Sequence, residues 1–166
     1  FGSVELVEGL LPSLAQRGGG AVMIASNSAP QCQSAALVSS FLDGAEGRAR
    51  EIAATLRGHD VYSGSKLALA RWMRRRAPEA AAQGVRLNAV APGYIETPMT
   101  AVVAENPEYG EAIRAFKASI PIGRAGEPAD IANLVSFLLS TQAAFICGAV
   151  IFADGGHDAL QRPDAV

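Results

Sequence analysis

The chain has 166 residues and a formal net charge of −2, with 49% hydrophobic and 18% charged residues. This composition is typical of a folded chain of one domain, or most of one, and it argues against disorder. The near balance of charges gives no reason to expect nucleic acid or an anionic membrane surface as a partner.

The sequence contains neither a membrane-spanning run nor a signal-peptide pattern at its start. Its two cysteines, Cys32 and Cys147, lie far apart in segments that look unrelated, so we expect two free thiols in a reducing compartment. We therefore predict a cytoplasmic protein, and we predict no metal site.

The first predicted elements are a helix and a buried strand. A helical stripe of leucines runs over residues 1 to about 17 and begins at Phe1 without a capping residue, as if inside a longer protein. The continuous apolar run over residues 21–25 predicts a strand buried on both faces, as in parallel sheets. Ser26 follows its carboxyl end, which is where open α/β sheets bind ligands.

Residues 29–58 are predicted to form a helical insert before the next long helix. Two short helices are expected in it, Ala35 to Leu42 and Ala45 to Leu56, with Glu46 and Arg50 spaced as an i, i+4 ion pair. Two interpretations of the insert stay open: a surface segment without a chemical role, or a segment that helps to close a site.

A long helix and a second buried strand come next. The helix is predicted to run from near Tyr62 to about Arg76, and the region ends at the helix-breaking residues Pro78 and Gly84. Residues 85–91 form the strand. Two strands joined by such a helix are parallel, so their carboxyl ends lie on the same side of the sheet.

The last part of the chain contains a broken segment, a helix and a third strand. Residues 95–126 are interrupted by prolines and glycines around one helix, Glu111 to Ala118. This segment is either a flap that closes over a hydrophobic substrate or a set of apolar side chains packed on the sheet edge. A helix opening at Glu127 and a buried strand over residues 148–153 follow.

Tyr62 and Lys66 carry the clearest chemical pattern. Four residues apart on a helix, they share one face and lie one turn from each other. An ammonium beside a phenol favours the phenolate, and such a tyrosine can pass a proton to or from a substrate oxygen. A bare match of this kind is more often an exposed helical face, so the surrounding motifs decide its meaning.

Taken together, the motifs resemble the short-chain dehydrogenase/reductase family. In chain order they are a serine after a buried strand (Ser26), Tyr62-x-x-x-Lys66, Asn88-Ala89-Val90-Ala91-Pro92-Gly93, Thr97 and Asp154-Gly155-Gly156. The insert before Tyr62, and the wording Gly84-Val85-Arg86-Leu87-Asn88, Glu96-Thr97-Pro98 and Arg162-Pro163, are similar to the bacterial 3α-hydroxysteroid dehydrogenase/carbonyl reductase branch. The resemblance covers essentially the whole chain and implies an α/β fold with a Rossmann-like, doubly wound parallel sheet.

The resemblance also implies a function. It implies an NAD(P)-dependent oxidoreductase that uses NAD or NADP to interconvert a secondary alcohol and a ketone, a hydroxysteroid or carbonyl compound, in a homo-oligomer (dimer or tetramer). The implied catalytic residues are Ser26, which bonds the substrate oxygen, Tyr62, the acid/base, and Lys66. The implied cofactor-binding residues are Tyr62, Lys66, Pro92, Gly93, Ile95 and Thr97. The family usually has two serines at the end of this strand, and here the first is Ala25, while Ser28 is a weaker candidate.

The glycine-rich turn that begins the family's fold is missing from this sequence. That turn follows a strand and receives the pyrophosphate at a helix N-terminus, whereas Gly18-Gly19-Gly20 follows a helix and is better explained as a helix stop. The resemblance thus implies that residues 1–166 are the C-terminal two thirds of a single Rossmann-fold domain. Two hypotheses follow: part of a full oxidoreductase, or a truncated, catalytically silent module for binding or oligomerisation. In either case we expect these residues alone to be inactive.

Overall fold

The computed structural model describes residues 1–105 and 110–165. They form these helices and strands in chain order: α1 (Gly2–Ala15), β1 (Gly20–Ile24), α2 (Ala35–Leu42), α3 (Glu46–Ala53), α4 (Gly58–Ala82), β2 (Arg86–Pro92), α5 (Pro98–Ala104), α6 (Gly110–Ala118), α7 (Pro128–Leu139), β3 (Val150–Ala153) and α8 (His157–Gln161). The sequence predicts all three strands and the helices between them, but not the short helix α8. Short 3₁₀ turns stand at Ala29–Gln31 and Thr141–Ala143.

The three strands form one parallel sheet in the order β1-β2-β3. Gly20 to Ile24 pair with Arg86 to Val90, and Ala89 to Pro92 pair with Val150 to Ala153. All three carboxyl ends therefore lie at one edge of the sheet, which confirms the predicted strand–helix–strand crossover.

Helices cover both faces of this sheet. Alternate residues of β2 point to opposite faces: Leu87 packs with Met73 of α4 on one face, and Val90 packs with Leu138 of α7 on the other. Each of these side chains is at most 1% exposed, and burying one contributes roughly 1.5–3 kcal/mol. This is the doubly wound arrangement that the sequence predicts.

Helix α4 runs further than the sequence predicts. It continues through Pro78 to Ala82 instead of ending near Arg76. Pro78 is exposed, so water can bond the carbonyl that its missing N–H leaves free. Ala77 and Ala80 meanwhile are buried in the core. The prediction was wrong because tertiary packing outweighs the local penalty of a proline.

The insert of residues 29–58 packs against α4. Leu37 of α2 is fully buried, and a Cβ added at Gly64 would lie 2.8 Å from Leu37 Cδ2. The predicted ion pair is present, with Arg50 Nη2 2.6 Å from Glu46 Oε1. The insert therefore supports the helix that carries Tyr62, whereas its part in closing a site stays a prediction.

Asp130 fixes the start of α7. Its carboxylate accepts hydrogen bonds from Arg124 Nη1 and Nη2 at 2.7 and 3.0 Å, and from the backbone N–H of Glu127 at 2.8 Å. The bonds from Arg124, followed by the one from Glu127, lower the pKa of Asp130 from 3.8 to about 2.

We expect the Asp130→Asn variant to have a lower Tm than the wild type at neutral pH, because the amide cannot form the ion pair with Arg124. A carboxyl with a depressed pKa stabilises the fold when ionised, above its ordinary pKa, and loses that stabilisation as the pH falls. The Tm difference should thus shrink between about pH 4 and the folded-state pKa of about 2.

Thermal unfolding followed by circular dichroism over this pH range measures the difference. The exposed Asp164 makes no side-chain bond within the described residues, so Asp164→Asn is the matched control. A Tm difference for Asp130→Asn that stays constant down to pH 2 would contradict the account.

Candidate active site

The carboxyl ends of the three strands bring the predicted residues to one edge of the sheet. Ser26 lies just beyond β1, Gly93 just beyond β2 and Asp154 just beyond β3. Backbone bonds continue past the strand ends, from Asn27 N to Pro92 O at 3.0 Å and from Gly93 N to Ala153 O at 3.1 Å. These bonds hold the residues that follow the strands in fixed positions.

Ser26 is buried and engaged by Ser28. Ser26 Oγ accepts a bond from the backbone N–H of Ser28 at 3.2 Å and lies 2.9 Å from Ser28 Oγ. When the Ser28 hydroxyl donates to it, Ser26 Oγ accepts two bonds, and its own proton is free for a third group. Ser28, which is a weaker candidate in the sequence, thereby becomes the residue that orients Ser26.

Tyr62 and Lys66 lie one turn apart on α4, as their spacing predicts. Lys66 Nζ is 5.6 Å from the centroid of the Tyr62 ring, within the range of a cation–π contact. Tyr62 is 48% exposed, so its phenol is open to a ligand.

Lys66 also joins the helix to the first strand. Its Nζ donates to the backbone carbonyl of Ile24 at 2.8 Å. The neighbouring residue Ala25 directs its N–H to β2, so Ile24 directs its backbone groups to the side of β1 that carries no further strand within the described sheet. The ammonium is therefore bonded to β1 at a carbonyl two residues before Ser26.

Asp154 ties the strand ends together. Its Oδ2 accepts from Asn27 Nδ2 at 3.3 Å and from the backbone N–H of Asp158 at 2.7 Å, and its Oδ1 accepts from Gly156 N at 3.1 Å. A Cβ added at Gly93 would lie 2.7 Å from Asp154 Cβ. The end of β2 thus approaches the turn after β3 so closely that only glycine fits.

Ile95 and Thr97 lie on the segment that leaves the sheet after Gly93. Ile95 forms an isolated parallel bridge with Gly126 and lines a cleft of about 410 Å³ together with Asp154. Thr97 Oγ1 accepts from the backbone N–H of Thr100 at 3.2 Å and lines a separate depression. The structure therefore brings Ser26, Lys66 and Gly93 to the sheet edge, whereas the Thr97 hydroxyl bonds locally at the start of α5.

These residues fit one end of the expected dinucleotide. The ammonium of Lys66, the half-exposed phenol of Tyr62 and the glycine at the end of β2 are suited to a ribose and a nicotinamide ring. Within the described residues, however, no strand leads through a glycine-rich turn into a long helix whose N-terminus could receive the pyrophosphate. The described residues thus fit the nicotinamide side of such a site and include no turn of that kind for the pyrophosphate.

Three features of the site escape the sequence patterns: the Lys66–Ile24 bond, the convergence on Asp154, and a buried histidine, His157. An acidic residue directly after a buried strand was the only signal for any of them. Among residues 1–105 and 110–165, no three His, Cys, Asp or Glu side chains are grouped to hold a metal ion. In the same part of the chain, no helix is long and apolar enough to cross a membrane.

A parallel sheet covered on both faces, with ligand-binding residue types at its carboxyl edge, defines a Rossmann-like α/β protein. A family model described as enoyl-(acyl carrier protein) reductase matches residues 48–158. The chain belongs to the short-chain dehydrogenase/reductase family, whose members are oxidoreductases. This confirms the resemblance and the fold class predicted from the sequence.

Among its relatives, the chain is 38% identical to the 3-alpha-hydroxysteroid dehydrogenase/carbonyl reductase of Comamonas testosteroni, over 98% of this chain and 65% of that protein. It is 45% identical to the 3-oxoacyl-[acyl-carrier-protein] reductase FabG of Aquifex aeolicus, over 60% of this chain and 38% of that protein. The chain thus spans less than two thirds of the length of both relatives.

Solved structures show the same fold. The 3-alpha-hydroxysteroid dehydrogenase from Pseudomonas sp. B-0831, complexed with NADH, superposes with a TM-score of 0.91 at 41% identity, over 100% of this chain and 66% of that one. A putative 2-deoxy-d-gluconate 3-dehydrogenase from Agrobacterium tumefaciens with bound NADP has a TM-score of 0.64 at 30% identity, over 88% of this chain and 50% of that one.

The close approach of Gly93 to Asp154 predicts that a methyl group added at position 93 destabilises the fold. Gly93→Ala should lower the free energy of unfolding by about 1–3 kcal/mol, because the new Cβ overlaps Asp154 Cβ and the two strand ends must separate. Denaturant unfolding measures the loss.

Gly47→Ala is the matched control. Gly47 lies within α3 with no atom near its missing Cβ, so alanine should raise the free energy of unfolding by about 0.5–1 kcal/mol. Equal stabilities for Gly93→Ala and the wild type would disprove the close approach.

Proposed function

We propose that this chain carries the proton-transfer side of the site of an NAD(P)-dependent oxidoreductase that interconverts a secondary alcohol and a ketone. One observation carries the proposal: Lys66 Nζ, one turn from Tyr62, bonds the carbonyl of Ile24, two residues before Ser26. This bond joins the helix of the tyrosine to the strand of the serine at the carboxyl edge of the sheet.

Each of the three side chains has a distinct role in the proposal. The Ser26 hydroxyl donates a hydrogen bond to the substrate oxygen, and for this the Ser28 hydroxyl donates to Ser26 Oγ rather than accepting from it. In the reducing direction the Tyr62 phenol gives its proton to the same oxygen, and in the oxidising direction the phenolate takes the proton back. The ammonium of Lys66 stabilises the phenolate that alternates with the phenol.

Two fixed donors matter because charge develops on the oxygen when a carbonyl is reduced. Hydrogen-bond donors held in place before the reaction stabilise that charge without reorganising. Ser26 is only 7% exposed and is held by the turn that it begins. Its position is therefore set by the fold, which is what such a donor requires.

NAD or NADP supplies the hydride when bound. The residues proposed to hold its nicotinamide end are Tyr62, Lys66, Pro92, Gly93, Ile95 and Thr97. The neighbouring structures support the choice of cofactor, since one is described as complexed with NADH and another with bound NADP.

A hydrophobic ketone or alcohol is the proposed substrate class. The cleft beside Asp154 is lined by the apolar side chains of Ile95, Ile122 and Phe152 on one part of its wall and by charged side chains, Arg124 and Asp158 among them, on another. The named activity of the Comamonas relative, a hydroxysteroid dehydrogenase and carbonyl reductase, agrees with such a lining. We propose a hydroxysteroid or another hydrophobic carbonyl compound.

The second candidate is a silent module for binding or oligomerisation. Phe145 is fully exposed and Leu139 is 47% exposed, and a partner or a second copy that covered them would bury apolar surface now open to water. The same side chains support a homo-oligomer in either candidate. Turnover by the whole protein separates the two.

Tyr62→Phe tests the proposed reaction. Removing the phenolic hydroxyl removes the proton donor, and general acid–base groups contribute about 10²–10⁴-fold to rate. We therefore expect kcat of the whole protein for reduction of a hydrophobic ketone to fall by at least about 100-fold. The cofactor Kd, measured by calorimetry, should rise by no more than about tenfold, because the variant loses at most one hydrogen bond among the six residues proposed to hold the nicotinamide end.

Ser65→Ala provides the matched control on the same helical turn. Its hydroxyl donates to the carbonyl of Tyr62 within the helix, so its loss should leave kcat near the wild-type value. A Tyr62→Phe protein with near-normal kcat would refute the mechanism, and a wild-type protein without turnover would favour the silent module.

A further inference from the structure

Helix α6 lies within the segment predicted to be a substrate flap, and it is anchored on two sides. Phe116 packs edge-on against the ring of His157, with ring centroids 4.5 Å apart, and lies 6.3 Å from the ring of Tyr94. The neighbouring Lys117 pairs with the carboxylate of Glu96 and lies 5.6 Å from the Tyr94 centroid. Tyr94 itself lines the cleft beside Asp154.

The residues after α6 are seated on the turn that follows β3. Ile122 N donates to the carbonyl of Gly155 at 3.1 Å. A Cβ added at Gly155 would lie 2.6 Å from Ile120 Cγ2 and 2.7 Å from Ile122 Cγ2. The C-terminal end of α6 is therefore held by backbone contact, and Phe116 is the contact that holds the helix itself to α8.

His157 is an unusual residue for such a contact. It is only 4% exposed, and its Nδ1 is buried without a partner among the described residues. Its Nε2 lies 3.4 Å from the side-chain amide of Gln161. Because one amide group can satisfy one ring nitrogen only, either orientation of Gln161 leaves Nδ1 unpaired. A phenylalanine would pack here without that desolvation cost.

The imidazole provides a connection to the segment that follows Ser26, here called the Ser26 turn (residues 26–31). Gln161 accepts a bond at 3.1 Å from Gln31 Nε2. Gln31 ends the 3₁₀ turn that begins three residues after Ser26. A chain of contacts thus runs from Phe116 through His157 and Gln161 to Gln31, in the 3₁₀ turn that follows the proposed catalytic serine.

We infer that His157 is a positioning residue that holds α6 against the site and couples it to the Ser26 turn. The inference rests on the proposed function for its kinetic consequences, but the contact with Phe116 exists independently of any reaction. When α6 is in place, Phe116 and Lys117 hold the side chain of Tyr94, which lines the cleft. The cleft then has its final shape before a substrate binds.

The first test does not depend on activity. Arg114 is exposed on α6, so the rate of trypsin cleavage after it reports how often the helix detaches and unfolds locally. An edge-to-face aromatic pair is weak enough that its loss should raise the cleavage rate of the whole protein by about 3- to 10-fold in Phe116→Ala. Leu6→Ala removes an apolar side chain that is 64% exposed on α1 and should leave the rate unchanged.

The second test separates positioning from folding. His157→Phe keeps an aromatic ring against Phe116 but loses the bond to Gln161. Because it also removes the buried, unpaired Nδ1, the whole protein should retain or exceed the wild-type Tm. We expect its KM for the ketone to rise by about 3- to 10-fold and its kcat to stay within about twofold. Adding Gln161→Leu to this variant should raise KM no further, because both changes break the same connection.

The outcomes distinguish this inference from the proposed function. A cleavage rate at Arg114 that is the same in the wild type and Phe116→Ala overturns the anchoring by His157, whatever the activity. Unchanged KM in His157→Phe, or additive effects of the two substitutions, overturns the coupling to the Ser26 turn. A wild-type protein without turnover defeats the proposed function and leaves the anchoring to be decided by proteolysis.

Discussion

The carboxylate of Asp154 is the interaction on which the geometry of the site depends. A buried carboxylate needs hydrogen-bond donors, and this one takes them from the turn after β1 and from the backbone at the start of α8. The strand between them contributes no donor but comes close enough to touch, because Gly93 has no side chain. One side chain thereby sets the mutual positions of three strand ends.

A second constraint links the helix that carries Tyr62 to this edge. A parallel sheet leaves a row of carbonyls along its outermost strand, and Lys66 bonds one of them. The same ammonium lies beside the Tyr62 ring, so it serves as a structural donor and as a local positive charge. A site built in this way depends on the packing of α4, whose small residues allow the close approach of α2 at Gly64.

Much of this fold can be predicted from the sequence, and the reason is local. Each strand is a short apolar run with a glycine, serine or proline boundary, and the Glu46–Arg50 spacing predicts the observed ion pair. The end of α4 was predicted wrongly because the sequence shows Pro78 but not the core contacts of Ala77 and Ala80. Helix propensity depends on the local sequence alone, whereas the end of α4 is decided by which of its residues pack in the core.

The site is less predictable, because most of its contacts join residues far apart in the chain. Tyr62 and Lys66 are close in sequence, so their spacing is informative. In contrast, the Lys66–Ile24 bond spans 42 positions and the Asn27–Asp154 bond spans 127. His157 lies in no pattern, since a single histidine after two glycines says nothing about Phe116 or Gln161.

Amide hydrogen exchange in an Asp154→Asn variant of the whole protein tests the central role of this carboxylate most directly. An asparagine has one acceptor oxygen, and its NH₂ group faces the N–H groups that the carboxylate accepts in the wild type. The account predicts exchange about tenfold faster or more at the Gly156 and Asp158 amides, with the amide of Leu87 in the centre of β2 unchanged. Unchanged protection at Gly156 and Asp158 would contradict the claim that Asp154 holds this edge together.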